Sequence, residues 1–305
     1  MQGIEKLRQM CADSAKRASD TATLRLYNID EIARFLVYGC ADRDDFLQKY
    51  ATVRRDISSE PQKGVEHSAD ALCASFEAGE SALISYFCAA VCRYASERGK
   101  PITADMFFDG TPSEQTENNV AYVRNAISDD AYRMFEKAIT GASVTYTASF
   151  TAACEEVYYG RVRYCILPYE TSDEGTLSGF MKMIRKYELY PKCTCSVRSE
   201  RAVTKFVLLG RSACELLRPK SAKKYLKITV DSPDFYTFTR LCAASAALKL
   251  RLVKSESIPV SWDDGRYGSS LTFDITDAPD LAASFLLYLS REVPDCSDKA
   301  IYVEI

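Results

Sequence analysis

Residues 149–175 read SFTAACEEVYYGRVRYCILPYETSDEG, and the change of pattern inside this stretch sets the architecture. Over 149–160 apolar side chains recur at helical spacing, whereas 163–169, RYCILPY, is a short apolar run of the length of a buried strand. Glu170, Thr171, Ser172, Asp173 and Glu174 follow at once after Pro168. A buried strand that opens into hydroxyls and carboxylates marks the mouth of a binding cleft. A strand entered from one helix and left through another, over 175–187, is the unit of an α/β sheet.

The same alternation continues on both sides. VAYV (120–123) and VTYT (144–147) read as strands, with a helix over 127–139 between them and Ser128 placed to cap it. KCTCSV (192–197) and FVLLG (206–210) add two more strands, which predicts an α/β unit with a largely parallel sheet. Residues 224–305 are the most regular. Strand 225–230, helix 233–249, strands 251–260 and 267–275, helix 278–292 and strand 300–305 give βαββαβ, with 261–266 as the hairpin loop. Its expected fold is a ferredoxin-like four-stranded antiparallel sheet with helices on one face. Residues 3–99 repeat apolar positions at helical spacing, with Asn28 or Asp30 as a cap for the second helical run and a break over 58–64. The expected organisation is a helical bundle at 1–108, a polar linker at 109–118, an α/β domain at 119–218 and the βαββαβ domain at 224–305.

Composition excludes several function classes. The 305 residues carry a net charge of −3, with no basic footprint for nucleic acid or an anionic membrane surface. No apolar run reaches the ~20 residues that span a bilayer. The opening MQGIEKLRQMCADSAKR lacks an apolar signal core, so a cytoplasmic location is expected. Twelve cysteines scattered through apolar segments read as reduced, buried thiols. One histidine leaves neither a zinc ligand set nor a Ser-His or Cys-His nucleophilic pair to expect.

The stretch 149–175 resembles the prephenate dehydratase signature, with Ser149, Phe150, Val157, Gly160, Tyr164, Pro168, Glu170, Ser172 and Gly175 at matching positions. Downstream, 203-VTKFVLLGRSA-213 resembles that family's T-R-F run. Residues 224–305 resemble its C-terminal ACT regulatory domain, with 254-KSESIPV-260 in place of an E-S-R-P motif. The resemblance implies a periplasmic-binding-protein-like catalytic domain that converts prephenate to phenylpyruvate, CO2 and water without a cofactor. Such a site must hold two carboxylates, help hydroxide leave and exclude solvent.

Carried onto this sequence, the resemblance gives Thr204 the leaving hydroxyl and Lys205 a carboxylate, with Glu170, Thr171 and Ser172 orienting the substrate and Ser128 in the first loop. The departures are substantial. Lys205 replaces an arginine and loses its two-point grip, and Thr171 replaces an asparagine. The loop 124-RNAISDD-130 has no glycine where the family has an anion-cradling glycine-rich loop. Only 188–202 separates the helix from Val203, too little chain for the family's second lobe, so one lobe is expected and no closed cleft. In the ACT-like part, Asp234, Phe235, Glu256, Ser257 and Pro259 fall at the positions of the family's phenylalanine site. The expectation is a family member with degraded or no dehydratase activity. The alternative is a non-catalytic amino-acid sensor or interaction scaffold. A small aromatic or dicarboxylate ligand and an ACT-mediated homodimer are the expected partners.

Overall fold

The computed structural model describes residues 2–41, 43–58, 69–108, 117–200, 202–213, 217, 222–231, 235–259 and 267–305. Along the chain come α1 (Gln2–Gly39), α2 (Arg43–Ser58), α3 (Ala69–Glu97), β1 (Asn119–Val123), α4 (Ala126–Glu136), β2 (Ser143–Thr147), α5 (Phe150–Tyr158) and β3 (Tyr164–Thr171). They are followed by β4 (Gly175–Thr176), α6 (Ser178–Lys186), β5 (Tyr190–Arg198), β6 (Val203–Gly210) and β7 (Lys223–Val230). Last are α7 (Phe235–Ala247), β8 (Arg251–Pro259), β9 (Tyr267–Asp274), α8 (Pro279–Glu292) and β10 (Cys296–Glu304). Residues 109–116 of the expected linker, 59–64 of the expected break and the hairpin loop 261–266 lie outside the described residues.

These elements gather into two compact units. The first is helical and contains residues 1–102, 234–249 and 283–293, so α7 and the C-terminal part of α8 join α1–α3. Asn28 and Asp30 are not caps, because α1 runs unbroken to Gly39. Asp30 instead accepts from the Tyr94 hydroxyl at 2.6 Å and pairs with Arg93, both on α3. Burial would raise the Asp30 carboxyl, but these two donors outweigh it and hold it below the ordinary range. The real break follows Gly39, where Arg98 donates to the carbonyls of Val37 and Cys40 at 2.5 and 2.9 Å and Lys49 donates to that of Gly39 at 2.9 Å. Cations that satisfy orphan carbonyls are a common way to end a helix. Between α3 and α7, Ser85 Oγ donates to the Ala244 carbonyl at 3.2 Å. The buried carboxylate of Glu292 accepts from Arg54 at 3.0 Å and lies 3.6 Å from Arg240.

The second unit holds residues 103–233, 250–282 and 294–305 and is built on one sheet in the order β2-β1-β3-β6-β5-β10-β7-β9-β8, with β4 paired to β3. β1 is parallel to β2 and to β3, as crossovers through α4 and α5 require. The sequence predicts a largely parallel sheet here, but β3–β6 and β5–β6 run antiparallel. The reason is the tight 199–202 turn, closed by Ser199 N–H donating to the Ala202 carbonyl at 2.9 Å, because so short a connection cannot make a crossover. The βαββαβ segment forms the expected antiparallel sheet, β10-β7-β9-β8. β10 also pairs parallel with β5, Val303 against Cys193 and Glu304 against Thr194, which joins both sheets into one.

Both faces of the central strands are covered, so they read as continuous apolar runs rather than alternating ones. Val120, Tyr122, Tyr164 and Phe206 pack with Ala131 and Phe135 of α4 on one face. Ala121, Cys165, Leu167 and Val207 pack with Ala153, Val157 and Ile184 of α5 and α6 on the other. The nine described free cysteines include Cys193 and Cys195, both buried on the α4 face. Burial pushes the Cys195 thiol up to about 12, which keeps it protonated and unreactive.

Candidate functional site

The site positions come from an irregularity in β3. Pro168 has no N–H to give the ladder, and the β3–β6 register shifts between Pro168 and Glu170. Beyond the shift Glu170 faces Lys205 and Thr171 faces Thr204. β3 then turns back through Gly175, whose φ of +71° suits the left-handed turn, into β4. Five residues singled out in the sequence, Glu170, Thr171, Ser172, Thr204 and Lys205, therefore meet at one end of β3 and β6. Ser128 lies in the first turn of α4 at the carboxyl end of β1, the sheet edge past which the parallel strand β3 continues. Open α/β sheets bind ligands at that edge.

Two capping expectations are corrected. The N-cap of α4 is Asn125, whose side chain accepts from Ser128 N–H at 2.9 Å, so Ser128 is a buried helical residue. Asn125 does this because the helix starts one residue earlier than its apolar periodicity indicates. Ser172 and Asp173 do not cap α6, which begins only at Ser178 after the β3–β4 hairpin and has no side-chain cap bond. They shape the hairpin instead. Ser172 N–H donates to the Val203 carbonyl at 2.9 Å, its hydroxyl donates to Asp173 at 2.8 Å, and Val203 N–H donates to that hydroxyl at 3.2 Å. Thr171 Oγ1 accepts from Glu174 N–H at 3.1 Å.

The charged groups are bound to partners from the C-terminal strands. Lys205 Nζ lies 2.6 Å from Glu304 Oε1, and the Tyr225 hydroxyl donates to Glu304 Oε2 at 2.9 Å. Burial would raise the Glu304 carboxyl, but the Lys205 ammonium and the Tyr225 hydroxyl outweigh it and hold it below the ordinary range. Glu170 accepts from Lys254 Nζ at 2.7 Å, and Lys254 also reaches Glu256 at 3.1 Å and Thr176 Oγ1 at 3.2 Å. Thr176 in turn donates to Glu256. Burial would lower the Lys254 ammonium, yet Glu170, the Tyr169 ring and Glu256 together hold it above its ordinary value. Tyr169 lies beneath two ammoniums, 5.4 Å from Lys227 and 5.5 Å from Lys254.

Of the residues assigned to a second ligand site, the side chains of Glu256 and Ser257 are described. Glu256 belongs to the same cluster as Glu170, while Ser257, next along β8, is exposed and points to the opposite face by strand alternation. Asp234 and the side chains of Phe235 and Pro259 lie outside the described residues. Sequence reasoning missed Lys254, Thr176, Tyr169 and Glu304. Lys254 was recoverable, since a period of two puts it on the face of Glu256 within the quoted KSESIPV. Glu304 carried no such signal. Among the described residues no cluster of three His, Cys, Asp or Glu side chains is placed to hold a metal ion.

A cavity of about 300 Å³ lies under α6, lined from α6 and the 188–191 segment on one side and from β7, β8 and the start of β10 on the other. None of the expected site residues among those described lines it. Chemically, the Glu170–Lys205 end of the sheet is a neutralised polar cluster. Lys205 and Lys254 each already have a carboxylate, and the hydroxyls of Thr171 and Ser172 are used in the hairpin.

No protein-family model matches the chain, and no curated protein does. Solved structures match by fold. The X-ray structure of prephenate dehydratase from Streptococcus mutans superposes with a TM-score of 0.51 at 17% identity, covering 61% of this chain and 98% of that one. GqqA, described as a novel type of quorum quenching acylases, gives a TM-score of 0.46 at 18% identity over 61% of this chain and 95% of its own. The prephenate dehydratase of Arthrobacter aurescens in complex with L-Phe gives 0.46 at 13% identity over 60% and 89%. Among the described residues no helix is long and apolar enough to cross a membrane. Over 61% of its length this chain has the fold of a prephenate dehydratase.

Proposed function

We propose that this protein is a prephenate dehydratase relative, connected to phenylalanine biosynthesis by descent, that has lost efficient conversion of prephenate to phenylpyruvate. The observation that carries this reading is the Lys205–Glu304 ion pair at 2.6 Å. Lys205 is the cation expected to hold a substrate carboxylate, and a dicarboxylate would have to displace a carboxylate already in place. Two further features point the same way. Glu170 is neutralised by Lys254. α6 ends at Lys186 and β5 begins at Tyr190, which leaves no chain for a second lobe before the β5–β6 hairpin. We place this role in the cytoplasm, on the reading of its thiols as reduced.

The test is phenylpyruvate formation from prephenate by the purified full chain, beside Thr204→Ala. The expected result is no turnover above the buffer rate for either protein. Turnover that disappears in Thr204→Ala would overturn the reading.

A second reading, an interaction scaffold that dimerises through an ACT-like C-terminal sheet, is favoured by one observation. β8 ends the strand order and so offers an unpaired edge, with Val253 on it 43% exposed. Sedimentation of the wild type and Val253→Lys tests it. A dimer weakened by the lysine supports it, and a wild-type monomer rejects it.

A further inference from the structure

The cavity under α6 lies against the polar face of the C-terminal sheet. In β7, Leu226, Ile228 and Val230 are buried on one face, while Tyr225, Lys227 and Thr229 take the other. Register adds Ala300 of β10 beside Lys227, Thr272 of β9 on its far side, and Ser270 beside Thr229. Thr229 and Ser270 are 2% and 1% exposed, and Ser270 Oγ has no hydrogen-bond partner. A buried hydroxyl left unpaired is unfavourable, and Ser270 lies behind Thr229 rather than among the residues that line the cavity.

Lys227 is the second unusual feature. Lys205, Lys254 and Arg185 all pair with carboxylates, Arg185 with Asp298 at 3.5 Å. Lys227 instead donates to the Tyr169 hydroxyl at 3.2 Å and enters no ion pair among the described residues. Lys227 and Thr229 thus line one cavity, and their side chains have capacity to hold an anion. The opposite wall is made by Met181, Ile184 and Leu189 together with Arg185, with Ile258 and Ala300 across from them. Glu188 and the paired Asp298 line the same cavity. With Lys227 and Arg185 set against Glu188 and Asp298 the lining is neutral, which disfavours a dianion such as phosphate more than a single negative charge. A volume of about 300 Å³ is at the small end of the range for small-molecule sites.

We infer that this cavity binds a small monocarboxylate with an apolar body, its carboxylate on Lys227 and Thr229 and its hydrocarbon against Met181, Ile184 and Ile258. This assignment goes beyond the dehydratase-derived site, since none of Glu170, Thr171, Ser172, Thr204 or Lys205 lines the cavity. It stands whether or not prephenate is turned over.

Calorimetric titration of the full chain tests it with hexanoate, 3-phenylpropionate and indole-3-acetate, alongside 3-phenylpropionamide and inorganic phosphate. At least one acid should saturate one site, with the amide and phosphate roughly tenfold weaker or more. Lys227→Met should weaken the best acid by about tenfold or more, and Lys227→Arg should restore much of the loss. Thermal melts of both variants establish that they are folded, and Ile258→Ser should weaken the acid independently of the lysine. Thr204→Ala should bind like wild type. Absence of saturable binding by all three acids overturns the inference. So does equal affinity in folded Lys227→Met, or phosphate binding as tightly as the best acid.

Discussion

Lys205 Nζ lies 2.6 Å from Glu304 Oε1 although 99 residues separate them, and the Tyr225 hydroxyl is 2.9 Å from the other oxygen of the same carboxylate. The pair comes together because β10 runs beside β5 and β5 beside β6. Both side chains are about one-quarter exposed, so the pair is neither a surface ion pair nor a fully dry one. Replacing Glu304 by Gln keeps the shape and removes the charge that Lys205 needs. We expect a loss of about 1–3 kcal/mol in urea unfolding. A loss indistinguishable from zero would show that solvent screens the pair.

The same carboxylate makes stability depend on pH. Glu304 is held below its ordinary value of 4.5, so its folded form binds a proton less readily than its unfolded form. Its contribution is therefore present above about pH 4.5 and is lost as pH falls through the lower, folded value. The stability gap between wild type and Glu304→Gln should shrink steadily over that acid window. Unfolding curves of the two proteins at a series of pH values check this.

Asn125 is the cap of α4, and its side chain serves Ser128 N–H at 2.9 Å. Asn125→Ala should cost about 1 kcal/mol, and Asn125→Ser should recover most of it. Ser128→Ala leaves this bond intact, because the backbone of Ser128 makes it. Thermal melts of the three variants separate the two positions.

Within the helical unit, the Glu292 carboxylate is only 4% exposed and lies 3.0 Å from Arg54 and 3.6 Å from Arg240. The Tyr50 hydroxyl donates to it at 3.5 Å. Truncation to Ala would take this carboxylate from Arg240 and leave Arg54 with Glu80 at 3.6 Å, at a cost of about 3 kcal/mol. A cost below about 1 kcal/mol in denaturant unfolding would mean the arginines reach water easily.

Gly210 ends β6 where nothing larger fits. A Cβ there would lie 3.1 Å from Lys192 Cε and 3.3 Å from the Tyr164 ring, and both of these side chains are buried. Gly210→Ala should destabilise by about 1–3 kcal/mol through overpacking. The companion change Lys192→Leu, which has no ε carbon, tests whether the lysine stem is the obstacle, since it should reduce that cost.

The sequence by itself determined the order and type of the elements, because a period of 2 or of 3.6 is a local property of neighbouring side chains. RYCILPY became β3, KCTCSV lies within β5, and 224–305 became βαββαβ, with its last strand starting at Cys296 rather than at residue 300. It also brought Glu170 and Lys205 into one candidate site through their motifs, and β3–β6 pairing does set them opposite each other. Boundaries were less legible where one local signal imitated another. Asn28 and Asp30 look like caps but lie inside α1, since a side chain that can cap can equally accept from a neighbouring helix, as Asp30 does from Tyr94.

Only the tertiary structure decided which charges meet. Pairing of β10 with β5 puts Glu304 on Lys205, and the β3–β4 hairpin brings Thr176 to Glu256. It also decided that α7 and the end of α8 join the N-terminal helices and that Lys227 lines a cavity while entering no ion pair among the described residues. Strand order and helix docking follow from which apolar faces bury one another across hundreds of residues, and periodicity carries no information about that choice.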